Sequence, residues 1–123
     1  MNALEVINLA RATLAAGTEY PTYVGDTLDT DAHGRLKVPD DPAQFIIHTV
    51  SGDPNHEWGS TRYGLVRLQV NAFSVVEGEA LAMLALAESL LASERFIPKI
   101  LVNLARDGPY TGYAQDFERG TSP

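Results

Sequence analysis

Between Leu65 and Phe73 the chain alternates without a break: Val66, Leu68, Val70 and Ala72 occupy the even positions, and Arg67, Gln69 and Asn71 stand between them. A β-strand sends successive side chains to opposite faces, so this segment has one apolar and one polar face. Such a strand needs a sheet whose apolar face lies on a core and whose other face meets water or a polar partner. Upstream, Ala43 to Val50 reads as a second strand, because Phe45, Ile46, Ile47, Thr49 and Val50 are β-formers. Ser51-Gly52-Asp53-Pro54 breaks it. The two strands are expected to pair as a hairpin whose tip, Gly52 to Gly64, projects as a long arm carrying Trp58, Arg62 and Tyr63.

Helical periodicity flanks this hairpin on both sides. Ala3 to Ala16 has Asn2 as a cap and Glu5 three residues on, the arrangement of a capping box. Its apolar stripe is read through Leu4, Ile7, Arg11 and Leu14, with Ala3 and Ala10 beside them and Gly17 as the stop. A second capping box, Ser74 to Glu77, opens a helix to about Ser93. Val76, Ala80, Met83, Leu84, Ala87, Leu90 and Leu91 form its broad apolar face. Leu81, Ala82, Ala85 and Leu86 make the flank apolar too, which calls for cover on a second side, such as another subunit.

Residues 18–42 carry Pro21, Gly25, Gly34, Pro39 and Pro42 among acidic side chains and read as irregular, with Leu36 to Val38 as a short edge strand. Pro98 ends the second helical region; Lys99 to Leu104 reads as a strand with Ile100, Val102 and Leu104 on one face. Asp107-Gly108-Pro109 marks a turn, Tyr110 to Phe117 a last short strand, and Glu118 to Pro123 a loose tail. The expected fold is α+β in a single domain spanning residues 1–123: a mixed, mainly antiparallel sheet of about four strands packed against two helices, with a long β-hairpin arm.

Composition narrows the function. Apolar residues make up 45% of the 123, enough for a real core, and no apolar run approaches the roughly 20 residues of a membrane-spanning helix. The start of the chain has no basic segment leading an apolar block, so no secretory signal is read there and no membrane partner is expected. With no cysteine there are no disulfides, thiolate metal sites or Cys nucleophiles. The net charge of −7, with Lys37 and Lys99 the only lysines, argues against a reader of nucleic acid, though an acidic protein can surround DNA without holding it.

Catalytic patterns are missing as well. There is no phosphate loop, dinucleotide fingerprint or Gly-x-Ser-x-Gly elbow. His33, His48 and His56 form no i, i+4 ligand pair. Asp53, His56 and Glu57 are the most tempting cluster, but on a hairpin tip they read first as a polar turn. His48 is expected on the outer sheet face. The acidic stretch from Asp26 to Asp41 lacks the register of a calcium loop and reads as solvated. Trp58, Tyr63, Tyr110 and Tyr113 lie outside the predicted core strands and are candidates for contacts with partners. No catalytic residue, metal ligand or cofactor is assigned.

The ordered set of segments resembles the tail-completion, or tail-terminator, proteins that join head to tail in long-tailed bacteriophages. The resemblance is carried by Val50-Ser51-Gly52-Asp53-Pro54 and the polar arm, then by Val66-Arg67-Leu68-Gln69-Val70-Asn71-Ala72-Phe73. It continues in the helix with Glu79, Ala80 and Leu84, and in Arg106-Asp107-Gly108-Pro109-Tyr110-Thr111-Gly112-Tyr113 followed by Asp116-Phe117. It covers most of the chain except residues 18–42, which are longer and more acidic than the family leads one to expect. It implies a structural, non-enzymatic virion protein made in the host cytoplasm and placed at the tail–neck junction. It further implies a ring of copies, a hexamer, that contacts the tail-tube protein and the head-completion or connector protein while genomic DNA passes through without specific binding. A head-closure protein, a tail-tube subunit, or a small cytoplasmic ligand-binding or enzymatic domain is the alternative. The subunit interface is expected at Trp58, Arg62, Tyr63, Leu81, Leu86, Tyr110 and Tyr113.

Overall fold

A computed structural model describes residues 2–25, 43–49 and 64–121. In chain order the elements are α1 (Ala3–Gly17), β1 (Thr22–Val24), β2 (Gln44–Thr49), β3 (Leu65–Ser74), α2 (Glu77–Ala92), β4 (Ile97–Asp107) and β5 (Tyr110–Gly120). The five strands form one mixed sheet in the order β1-β2-β3-β5-β4. β1 runs parallel to β2, and every other pairing is antiparallel. The fold is α+β, as expected, with five strands where about four were read. β2 and β3 pair as anticipated. The arm tip and the strand expected over Leu36 to Val38 lie outside the described residues.

The alternation in β3 does what its period requires. Val66, Leu68, Val70 and Ala72 are buried with Phe45 and Ile47 of β2 and Phe117 of β5, against the two helices. α2 contributes Ala80, Met83, Leu84, Ala87 and Leu91, close to the stripe read from its sequence, although Val76 is exposed. In α1 the stripe is rotated from the expected one. Val6, Ile7, Ala10 and Leu14 are buried, whereas Leu4 is 64% exposed and Arg11 lies in solvent. A 3.6-residue period admits either phase, and contact with the sheet and α2 selects Val6 over Leu4.

Both helix starts can be followed atom by atom. Asn2 Oδ1 accepts from Glu5 N–H at 2.8 Å, and Asn2 N–H donates to Glu5 Oε1 at 3.2 Å, completing the capping box. The second box forms differently. Ser74 is still in β3, paired with Thr111, and its extended backbone delays the helix to Glu77. The Ser74 hydroxyl accepts from Val76 N–H at 3.0 Å and donates to Glu79 Oε1 at 2.6 Å, so the serine organises a turn before the helix instead of capping it. At its far end α1 meets α2 closely: a Cβ on Gly17 would stand 2.7 Å from Leu90 Cδ1.

The C-terminal region departs most from expectation. β5 runs to Gly120 and is central, with β3 on one side and β4 on the other. Arg119, expected in a loose tail, is 4% exposed. Its Nε donates to the Glu94 carbonyl at 2.8 Å and its Nη1 to the Gly120 carbonyl at 2.9 Å, while the guanidinium stands 5.7 Å from the Phe96 ring centroid. A charged side chain can be buried there because its donors are answered by carbonyls and its flat face by an aromatic ring.

Candidate assembly surface

The sheet face turned away from the helices divides into two zones. Near one end, register brings Arg67 opposite Glu118 and Gln69 opposite Asp116. Arg67 Nη2 donates to Glu118 Oε1 at 2.6 Å, and Gln69 Nε2 to Asp116 Oδ1 at 3.2 Å. Lys99 Nζ reaches the other oxygen of Glu118 at 3.9 Å. The hydrogen bond from Arg67 is the main reason the Glu118 carboxyl titrates below its ordinary range; the charges of Lys99 and Arg67 add to it and burial opposes it. His48, half-buried opposite Gln69, lies on this same outer face, where its alternation had placed it.

Toward the other end the outer face closes with a small apolar cluster of Ile46 and Tyr110, against which Phe73 packs. The Phe73 and Tyr110 rings meet edge to face with centroids 6.3 Å apart. Asn71, expected on a wet face, is 2% exposed here and donates through Nδ2 to the Ile46 carbonyl at 3.1 Å. The outer face is therefore polar along only part of its length.

The anticipated interface residues fall in different surroundings. Tyr110 is 1% exposed and belongs to the interior, which corrects its assignment to a subunit interface: a side chain already surrounded within its own chain has no area left to offer. It was expected there as an aromatic outside the predicted core strands; pairing opposite Asp107 and packing on Phe73 and Ile46 bury it. Tyr113 is half-buried against the main core and its hydroxyl donates to Glu77 Oε1 at 2.6 Å, which raises the phenol's pKa. Leu81 and Leu86 are 39% and 40% exposed on the uncovered flank of α2, with Ala82 and Ala85 exposed beside them. Trp58, Arg62, Tyr63 and the Asp53, His56, Glu57 cluster, like His33 and the acidic run from Asp26 to Asp41, fall outside the described residues.

A further exposed apolar feature among the described residues was not singled out from the sequence. β4 forms one edge of the sheet, and Ile97, Ile100, Leu101 and Val102 along it are all exposed, Ile100 to 64%. At the opposite edge, β1 exposes Tyr23 and Val24. The signal was present: Ile97 to Leu104 is apolar at most positions with little alternation, the pattern of a strand covered on both faces, yet among the described residues β5 alone pairs with it. Among the described residues no three His, Asp or Glu side chains gather in a metal-binding group, and no helix is long and apolar enough to cross a membrane. Compared with protein-family models and with curated proteins, the chain matches none.

Proposed function

We propose that this protein is a structural subunit of a long-tailed bacteriophage that caps the head-proximal end of the tail as a ring and joins it to the head connector, leaving a passage for DNA. The observation that carries this reading is the exposed apolar surface of β4 and of the α2 flank on a domain that already buries a separate core between its sheet and helices. Monomeric proteins rarely leave contiguous apolar area uncovered unless it serves an interaction. The acidic net charge suits a passage through which DNA moves without adhering. The ordered segments that resemble tail-completion proteins, from the β2–β3 hairpin to the closing Asp107-Gly108-Pro109 turn, give the interaction its setting.

The decisive measurement is copy number. Quantitative mass spectrometry of purified particles is expected to find a few copies per particle, as for a ring; many copies would instead indicate a tube subunit. Leu86→Glu, which places a charge on the exposed flank of α2, is expected to leave the circular dichroism spectrum and unfolding midpoint of the isolated chain near wild type. In complementation it should abolish assembly of tailed particles. Normal particle yield would remove the α2 flank from the interface.

A further inference from the structure

Resting on the ring reading, the geometry points to a particular seam between copies: β4 of one copy pairs antiparallel with β1 of the next, so that the sheet continues from subunit to subunit. Among the described residues these are the two edges of the sheet. A strand edge presents backbone N–H and C=O groups that another strand satisfies best. At the start of β4 the edge is blunted by Pro98, Lys99 and an irregular register between Pro98 and Leu101. From Leu101 to Leu104 it carries no such device.

Direction and register both suit this junction. Following the pairings across the sheet, β1 and β4 run in opposite directions, so a copy added by extending the sheet meets its neighbour in the antiparallel sense. The helices of both copies then stay on one side. Tyr23 is registered with Ile46 and lies on the outer face, and Val24 is registered with Ile47 and lies on the helix face. In β4, Val102 pairs with Ala114 on the outer face and Leu101 with Gln115 on the helix face. A single antiparallel register sets Tyr23 opposite Val102 and Val24 opposite Leu101 at once, joining two exposed apolar pairs on their proper faces.

Charge favours the same match over a symmetric one. Residues 19–31 contain four acidic side chains (Glu19, Asp26, Asp29, Asp31) and no basic one. Residues 94–107 contain three basic side chains (Arg95, Lys99, Arg106) against two acidic (Glu94, Asp107), a net positive segment in a chain of net charge −7. Lys99 shares Glu118 with Arg67, which holds that carboxylate more closely. Joining β4 to β4 would bring like segments together, whereas β4 to β1 brings opposite ones together. The contact is also heterologous, the kind that generates a ring when its rotation closes.

The cysteine-free chain permits a direct test. Tyr23→Cys combined with Val102→Cys, and Val24→Cys combined with Leu101→Cys, are oxidised in the full-length protein and run on denaturing gels with and without reductant. Within one copy the two positions sit on opposite edges of a five-stranded sheet, four strand spacings or ~19 Å apart, so no internal disulfide can form. The seam gives a reductant-sensitive ladder of multimers from each double variant and none from the single variants. A dimer from Val102→Cys alone, signifying β4 against β4, overturns the proposal, as does the absence of a ladder from both double variants. Native mass spectrometry of the wild-type chain separates the two failures: oligomers without a ladder sink the seam alone, and the ring reading itself stands or falls on copy number in the particle.

Discussion

The ring of Phe73 occupies the space that a side chain at residue 112 would need. A Cβ on Gly112 would lie 2.7 Å from Phe73 Cε1, 2.9 Å from Cδ1 and 3.2 Å from Leu104 Cδ1. The two residues are cross-strand partners in β3 and β5, so the aromatic ring covers the glycine and reaches Tyr110 beyond it. Gly112→Ala is therefore expected to displace the ring, weaken its edge-to-face contact with Tyr110 and cost about 1–2 kcal/mol in urea unfolding. An unchanged midpoint would mean that the ring moves aside freely.

The phase of α1 has an equally direct test. Leu14 is fully buried and Leu4 is mostly exposed, though the sequence periodicity treats them alike. Leu14→Ala should cost about 2–5 kcal/mol by leaving a cavity in the core. Leu4→Ala should stay within about 0.5 kcal/mol. Comparable losses from both would place Leu4, not Val6, in the core stripe.

Arg95 is the one non-glycine residue in the left-handed region among those described, with φ of 70°. It closes α2: its N–H donates to the Ala92 carbonyl at 3.1 Å, and Phe96 N–H returns to the Leu91 carbonyl at 3.0 Å. These are the paired bonds of a Schellman motif, whose left-handed position favours glycine. Arg95→Gly should raise stability by up to about 1 kcal/mol, because the strain relieved exceeds the backbone entropy lost. A lower unfolding midpoint would show that the arginine side chain contributes more than its backbone costs.

Glu118 supplies a pH-dependent contribution whose direction follows from its partners. Its carboxyl is more acidic in the folded chain, chiefly through the hydrogen bond from Arg67. The folded state thus binds this proton less readily than the unfolded state, so the stabilisation is present at neutral pH and is lost as pH falls through the folded-state titration. Arg67 is largely exposed, so the difference between wild type and Arg67→Gln at pH 7 should be under about 1 kcal/mol. It should vanish in acid, and the Glu118 carbon shift in Arg67→Gln should titrate at higher pH than in wild type. A difference that persists in acid would assign the effect to packing instead of the ion pair.

What could be read from the residues was whatever local periodicity and short-range hydrogen bonding enforce. The two-residue period of β3 dictated which side chains face the helices, and Asn2 with Glu5 set the start of α1, because these depend on neighbours three residues away or fewer. The apolar flank of α2 at Leu81 and Leu86 was legible for the same reason, as a helical face wider than one partner covers. The three-residue β1 was not legible, since nothing in Thr22-Tyr23-Val24 distinguishes a strand until β2 lies beside it.

Long-range pairing decided the rest. β5 extends through Glu118 and Arg119 because β3 and β4 flank it and the Glu94 and Gly120 carbonyls receive the arginine, partners that no local pattern announces. Tyr110 became interior, and Ser74 became the end of a strand, by the same register. Burial is a property of position among distant segments. Residue order alone therefore determined the period of each element, and only the assembled sheet determined which side chains were enclosed and which of the described strands became its edges.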